Sequence, residues 1–153
     1  MATQATSPSS SPPGITVDTD RRRLDRGLIH EFLTQSYWAR GISRSVVDAS
    51  ITHSLCFGLY ENDRQVGFAR VITDRATFAY LADVFVLESH RGRGLAKVLM
   101  TAVVEHPEVQ GLRRWLLATR DAHGLYAQYG FRPLPAPERF MERHDPEVYS
   151  ASR

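Results

Sequence analysis

The stretch Val84-Phe85-Val86-Leu87-Glu88-Ser89-His90-Arg91-Gly92-Arg93-Gly94-Leu95-Ala96 decides the reading of this chain. An apolar run ends in a turn rich in glycine and arginine, and an amphipathic helix follows at once. Leu95, Val98, Leu99, Ala102 and Val103 recur at helical spacing and mark the buried face, and Pro107 ends the helix. A strand feeding a helix through such a turn predicts an anion site. Free backbone N–H groups at the helix start point outward, and the helix dipole adds partial positive charge. Gly92 and Gly94 permit close backbone approach to a ligand, while Arg91 and Arg93 bring guanidinium donors suited to phosphate oxygens. A pyrophosphate is the natural guest. Two common pyrophosphate signatures fail, because Lys97 stands where the dinucleotide fingerprint needs its third glycine and no Gly-Lys-Ser/Thr occurs. A sharp strand-to-helix turn with solvated arginines is the plain alternative.

Working outward, Thr77 to Val86 is nearly continuous in apolar character and reads as a central strand. Upstream, Leu55 to Glu61 and Gln65 to Ile72 flank Asn62-Asp63 and read as a hairpin. Before that come a short strand at Ile15 to Asp18 and a helix carrying Leu24, Leu28, Ile29, Phe32 and Leu33. A second helix, capped by Ser43 and stapled by Ile42 onto Val47, runs to about His53. Downstream, Arg113 to Thr119 reads as a strand, and Asp121 is placed to cap a helix from Ala122 to Tyr129, which Gly130 stops. Phe131-Arg132 and Arg139 to Arg143 are candidate last strands around Pro133, Pro135 and Pro137. The order β-α-α-β-β-β-α-β-α-β(-β) predicts an α/β architecture, a mixed sheet flanked by helices.

At 153 residues, with 42% hydrophobic and 24% charged side chains, the sequence predicts one globular domain over residues 15–153. Residues 1–14, with four serines, three prolines and no aliphatic side chain larger than alanine after Met1, read as a disordered tail that lacks the plan of a secretory signal. No apolar run reaches the roughly 20 residues of a spanning helix. Cys56 is the single cysteine, so no intrachain disulfide and no cysteine-rich metal site is expected. These features predict a cytoplasmic protein without a membrane partner or a metal. Lys+Arg is 19 against Asp+Glu 17, and Lys97 is the only lysine. A balance so near neutrality speaks against a dedicated nucleic-acid binder. The run Arg21-Arg22-Arg23 with Arg26 reads as a solvated helix approach.

Two motifs carry a family resemblance. Arg91-x-x-Gly94-x-Ala96 is similar to the (Gln/Arg)-x-x-Gly-x-(Gly/Ala) motif of the GNAT family of N-acetyltransferases. Ala122-x-x-Leu125-Tyr126-x-x-x-Gly130-Phe131 resembles that family's Ala-x-x-Leu-Tyr-x-x-x-Gly-Phe segment. The resemblance covers about Ile15 to Arg143. It implies the GNAT fold and an acetyl-CoA-dependent transfer of an acetyl group to an amine, with a small molecule preferred over a protein lysine or N-terminus. The cofactor pyrophosphate would lie on Arg91, Gly92, Arg93, Gly94, Leu95 and Ala96. A backbone N–H at Phe85 or Val86 would stabilise the oxyanion. Thr119 stands where the family often has Asn, and its hydroxyl can still bond the cofactor. Tyr126 matches the general acid, against the plainer reading of a packed helix tyrosine. Members of the family often dimerise through sheet edges or C-terminal strands, so a homodimer is an open expectation.

For the acceptor, the resemblance points to the segment joining the first two helices, with Tyr37, Trp38 and Arg40 at the entrance. Ordinary lid packing is the alternative there. Asp83 is the only carboxylate within Thr77 to Val86, and burying it is costly unless it is paired or used. It either orients the acceptor amine and relays its proton, or it is a structural partner for an arginine such as Arg70. His90 adjoins the phosphate turn and is placed to touch a phosphate, while His123, near Tyr126, reads first as an ordinary solvated or capping histidine. A non-catalytic acyl-CoA-binding module is the rival to an enzyme.

Overall fold

A computed structural model describes residues 11–150 of the chain. Five strands, β1 (Ile15–Asp18), β2 (Leu55–Glu61), β3 (Arg64–Thr73), β4 (Phe78–Val86) and β5 (Arg114–Leu117), form one sheet in the order β1-β2-β3-β4-β5. The first four are antiparallel, and β5 lies parallel to β4. The hairpin closes through Asn62, which takes a left-handed conformation (φ 52°) that its short amide tolerates. β4 is interior as expected, although β3 holds the middle of the five.

Helices α1 (Arg26–Gln35) and α2 (Arg44–Thr52) cover one face, and α3 (Leu95–Glu105) covers the other. Strand alternation, with a β-bulge at Val66 that resets it on β3, divides the core accordingly. Cys56 and Phe68 pack with Ile29, Leu33, Val47 and Ile51, while Phe57, Leu59 and Val66 pack with Leu95, Leu99, Met100 and Val103. Ile42 and Val47 are buried in the same cluster, consistent with the staple. Gly58 lets the Tyr60 ring fold back over the strand, because a Cβ there would collide with the phenol oxygen.

Caps separate the helices. The Asp25 carboxylate accepts from the Leu28 N–H at 3.0 Å to start α1, and the Ser43 hydroxyl accepts from Val46 at 3.4 Å to start α2. α3 begins at Gly94, which has no side chain to offer. The arginine run upstream of α1 is largely engaged by acids. Arg22 pairs with Asp20, Arg23 with Asp18, and Arg26 with Asp48, while Arg21 donates to the Ser54 carbonyl.

Several expectations need correction. Residues 1–10 of the expected tail lie outside the described residues, but Pro12 to Gly14 form a turn. The Pro12 carbonyl accepts from Ile15, and the Gly14 carbonyl accepts from Asn62 at 2.7 Å. β5 and α4 (His123–Ala127) are shorter than predicted. Asp121 does not cap α4: its carboxylate faces Arg120 at 3.8 Å, and the Thr119 hydroxyl accepts from the Ala122 N–H at 3.0 Å. Neither Phe131-Arg132 nor Arg139 to Arg143 forms a strand. Pro133, Pro135 and Pro137 lack the N–H a ladder needs, and Pro137 opens a short 3-10 turn instead. Among the described residues β5 therefore ends the sheet with a free edge.

Candidate active site

The site begins where the sheet splits. β4 and β5 are paired from Phe78↔Arg114 to Leu81↔Leu117, and no further. From Ala82 to Val86, β4 runs on without a neighbour on that side among the described residues. A bulge lies within this open stretch: Phe68 pairs with Phe85 and Arg70 with Ala82, so Asp83 and Val84 together oppose Ala69. Asp83 has φ 54°, a sparsely populated conformation for a residue with a Cβ. The surrounding contacts hold it there. Its Oδ2 accepts from Arg70 Nε at 2.8 Å, and its Oδ1 accepts from Trp38 Nε1 at 2.9 Å. Both side chains of the ion pair are largely buried. The expectation of an arginine partner is thus met, and the carboxylate also ties the α1–α2 connection to β4.

Aromatic stacking strengthens that tie. Phe32 on α1 stacks on Phe85 with centroids 3.9 Å apart and planes 10° from parallel. Tyr37 meets Trp38 edge-on at 5.1 Å, and both rings are exposed. Tyr37 also reaches across the split, where its hydroxyl accepts from the Arg120 N–H at 3.4 Å and the Arg120 guanidinium lies 4.0 Å from its ring centre. Arg40 and Glu31 remain at the surface. Tyr37, Trp38 and Asp83 are therefore brought together on one side of the opening.

Tyr126 stands on the other side. Its ring is buried against Phe131 at 6.0 Å, and no protein group among the described residues hydrogen-bonds its hydroxyl. Burial pushes its pKa above the ordinary phenol value, and nearby Tyr37 pushes it further the same way. His123, one turn earlier, is exposed. Tyr129 is structural, since its hydroxyl donates to the Lys97 carbonyl at 2.9 Å and pairs with Thr101 at 3.1 Å.

The turn beyond β4 has the predicted form. Gly92 (φ 77°) and Gly94 (φ 73°) are both left-handed, and open space lies where either Cβ would stand. Val98 donates to Gly94 as the first bond of α3, so the N–H groups of Leu95, Ala96 and Lys97 begin the helix without intrahelical partners. An uncapped helix start bordered by two bare glycines fits a phosphate group. The two arginines differ in use. Arg91 donates through Nε to the Val86 carbonyl at 3.2 Å and keeps its terminal nitrogens free, whereas Arg93 is bound by Glu61 at 2.8 Å. His90, beside the turn, is buried and bonded to Ser89 at 2.7 Å and to Glu61 at 3.3 Å. Hydrogen bonds from Arg93 and then His90 hold the Glu61 carboxyl below its usual range.

The chain matches the model of the acetyltransferase (GNAT) family over residues 21–131. It belongs to that family. A Gibberella zeae protein with a provisional acetyltransferase name is 32% identical over 136 residues, covering 73% of this chain and 75% of the relative. A crystal structure from Xanthomonas campestris, provisionally described as an acetyltransferase of the GNAT family, is 57% identical. It covers 92% of this chain and 99% of its own, with a TM-score of 0.88. A Clostridium acetobutylicum acetyltransferase crystallised with acetyl-CoA is only 13% identical over 85% of this chain and 96% of its own, with a TM-score of 0.63; it shares the GNAT fold. No helix among the described residues is long and apolar enough to cross a membrane.

Three participants were missed from sequence. Phe32 counted only as a helix-face residue, Arg120 lies outside both motifs, and Glu61 closes a strand 32 residues before Arg93. Nothing local marks the Glu61 contact, which exists only once the β2–β3 hairpin sits beside the turn. Cys56 packs in the core beneath α1 and α2. It is buried and its thiol is pushed up to about 11 by desolvation.

Proposed function

We propose that this protein is an acetyl-CoA-dependent N-acetyltransferase that moves an acetyl group directly onto the amine of a small molecule. The observation that carries this reading is Tyr126, whose side chain is buried while its hydroxyl has no protein partner among the described residues. Acetyl-CoA supplies the activated acyl carbon. The chain's own residues supply the rest. The backbone from Arg91 to Ala96 binds the pyrophosphate, with Arg91 contributing its free guanidinium nitrogens. A backbone N–H at Phe85 or Val86 faces the thioester oxygen, where preorganised donors stabilise developing negative charge. The Thr119 hydroxyl, which already accepts from Ala122, keeps its own hydrogen to donate to the cofactor.

Tyr126 gives its proton to the departing sulfur. Its raised pKa keeps the phenol protonated across neutral pH, as an acid must be. Asp83 acts at the acceptor side with Tyr37 and Trp38. Two of its lone pairs are engaged by Arg70 and Trp38, and the remaining ones can orient the amine and relay its proton through water. The test is thiol release from acetyl-CoA over an amine panel, comparing wild type with Tyr126→Phe. Loss of an acid of this kind costs about 10²-fold or more in kcat. Unchanged turnover in the variant removes Tyr126 from the acid role. CoA binding without turnover on any amine identifies a binding module.

A further inference from the structure

A cavity of about 810 Å³ runs along the free edge of β5, between that strand and the segment that follows α4. Its wall includes Trp115, Leu117, Phe131 and Phe140, so its body is apolar. Thr119 and Tyr126 also line it, which joins the cavity to the proposed reaction centre. The remaining polar lining is of one sign. Arg113, Arg114, Arg132 and Arg139 border the cavity, and no Asp or Glu among the described residues does. Elsewhere in the molecule arginines commonly meet acids: Arg22, Arg23, Arg26, Arg44, Arg70, Arg75, Arg93 and Arg120 each have a carboxylate within 4.0 Å. The four cavity arginines have none among the described residues. Arg114 stacks instead over the Phe140 ring at 5.0 Å, which fixes a guanidinium beside the cavity without neutralising it.

An apolar trough with unneutralised guanidiniums and a phenol at the reaction end selects for a particular shape and charge. We propose that the cavity holds the body of the acceptor, and that the acceptor is an elongated amine bearing a carboxylate or phosphate remote from its amino group. This rests on the N-acetyltransferase reading above and adds the substrate class. The rise of a strand, about 3.3 Å per residue, puts the Thr119 end roughly 16 Å from the Arg114 backbone, and an arginine side chain reaching back about 6 Å leaves an amine-to-anion separation of roughly 10 Å or more. In the reaction the neutral amine nitrogen bonds the acetyl carbon as the carbon–sulfur bond breaks. The sulfur leaves with the electron pair and takes the Tyr126 proton, the new amide nitrogen loses one proton to water, and solvent reprotonates the phenol. The products are an amide and free CoA thiol.

The experiment compares 8-aminooctanoic acid, 10-aminodecanoic acid and their neutral counterparts octylamine and decylamine as acceptors, read as kcat/KM by thiol release. The wild type should prefer the carboxylates at least tenfold. In Arg114→Gln/Arg139→Gln that ratio should fall to near one, chiefly through KM, while Arg114→Lys/Arg139→Lys should retain most of it. Circular dichroism melting of each variant establishes that it is folded. Equal use of neutral and anionic amines by the wild type overturns the substrate class while leaving the enzyme reading intact. No turnover on any amine overturns both. If sedimentation shows a dimer that Phe140→Asp dissociates without altering the acceptor ratio, the cavity belongs to a second copy of the chain and the proposal fails.

Discussion

The turn that joins β4 to α3 and the segment that follows α4 stand on either side of the same opening, and they are built on opposite principles. In the turn, each residue answers a local backbone demand. Two left-handed positions carry glycine, the helix start carries no cap, and Glu61 with His90 fastens the turn from the neighbouring hairpin. In the C-terminal segment three prolines remove ladder donors, and the chain is held by rings: Phe131 against Trp115 and Tyr126, and Phe140 beneath Arg114. The first arrangement presents backbone to a ligand that varies little. The second borders a cavity with side chains from β5 and from an irregular segment outside the sheet. On the proposed reading, cofactor recognition and acceptor choice are thereby separated in the chain.

The sharpest way to break this contrast is Gly94→Val. A β-branched residue at φ 73° is strained, by about 1–3 kcal/mol, and open space at the Cβ means that crowding from the protein adds nothing. The strain falls on the conformation that presents the N–H groups, and the added side chain occupies the approach of the phosphate. The Kd for CoA measured by calorimetry should rise on the order of tenfold to a hundredfold. An unchanged Kd would mean that the turn does not carry the cofactor.

A smaller effect distinguishes the two arginines. Arg91→Ala removes free guanidinium nitrogens and should weaken CoA binding about fivefold to tenfold, in line with one charge-assisted hydrogen bond. Arg93→Ala removes a group already held by Glu61, so the loss should be about threefold or less. The reverse order would show that Arg93 leaves Glu61 when the cofactor arrives, and would sharpen the account of the turn accordingly.

What could be read from the sequence follows the same division. Gly92, Gly94, the Ser43 cap and the Asn62 turn are legible because each is required by the backbone within a few residues of itself. The second motif located Tyr126 for the same reason, since helix, tyrosine and terminal glycine form one local unit. Asp83 was legible as an anomaly, a carboxylate in an apolar strand, but its bulge was not. The bulge depends on register with β3, and register is a relation between strands 13 residues apart, as Arg70 and Asp83 show. The expected strand at Arg139 to Arg143 does not form, because the 3-10 turn opened by Pro137 takes the chain out of extended conformation at its start. The cavity was invisible for a related reason. It exists because β5 has no outer neighbour, and a missing neighbour leaves no mark on local sequence.

The smallest effect tests whether that outer segment matters to the fold at all. Phe140→Ala removes a half-buried ring whose best contact is the Arg114 guanidinium, a cation–π pair worth about 0.5–1 kcal/mol at such a site. The melting temperature should fall by about 2–4 °C at most. The matched truncation on the cofactor side, Leu99→Ala in the fully buried face of α3, should cost about 2–5 kcal/mol and lower the melting temperature several times further. A segment that contributes so little to stability is free to be shaped by its ligand. If Phe140→Ala instead destabilises as strongly as Leu99→Ala, the C-terminal segment is part of the core, and the separation of cofactor side from acceptor side does not hold.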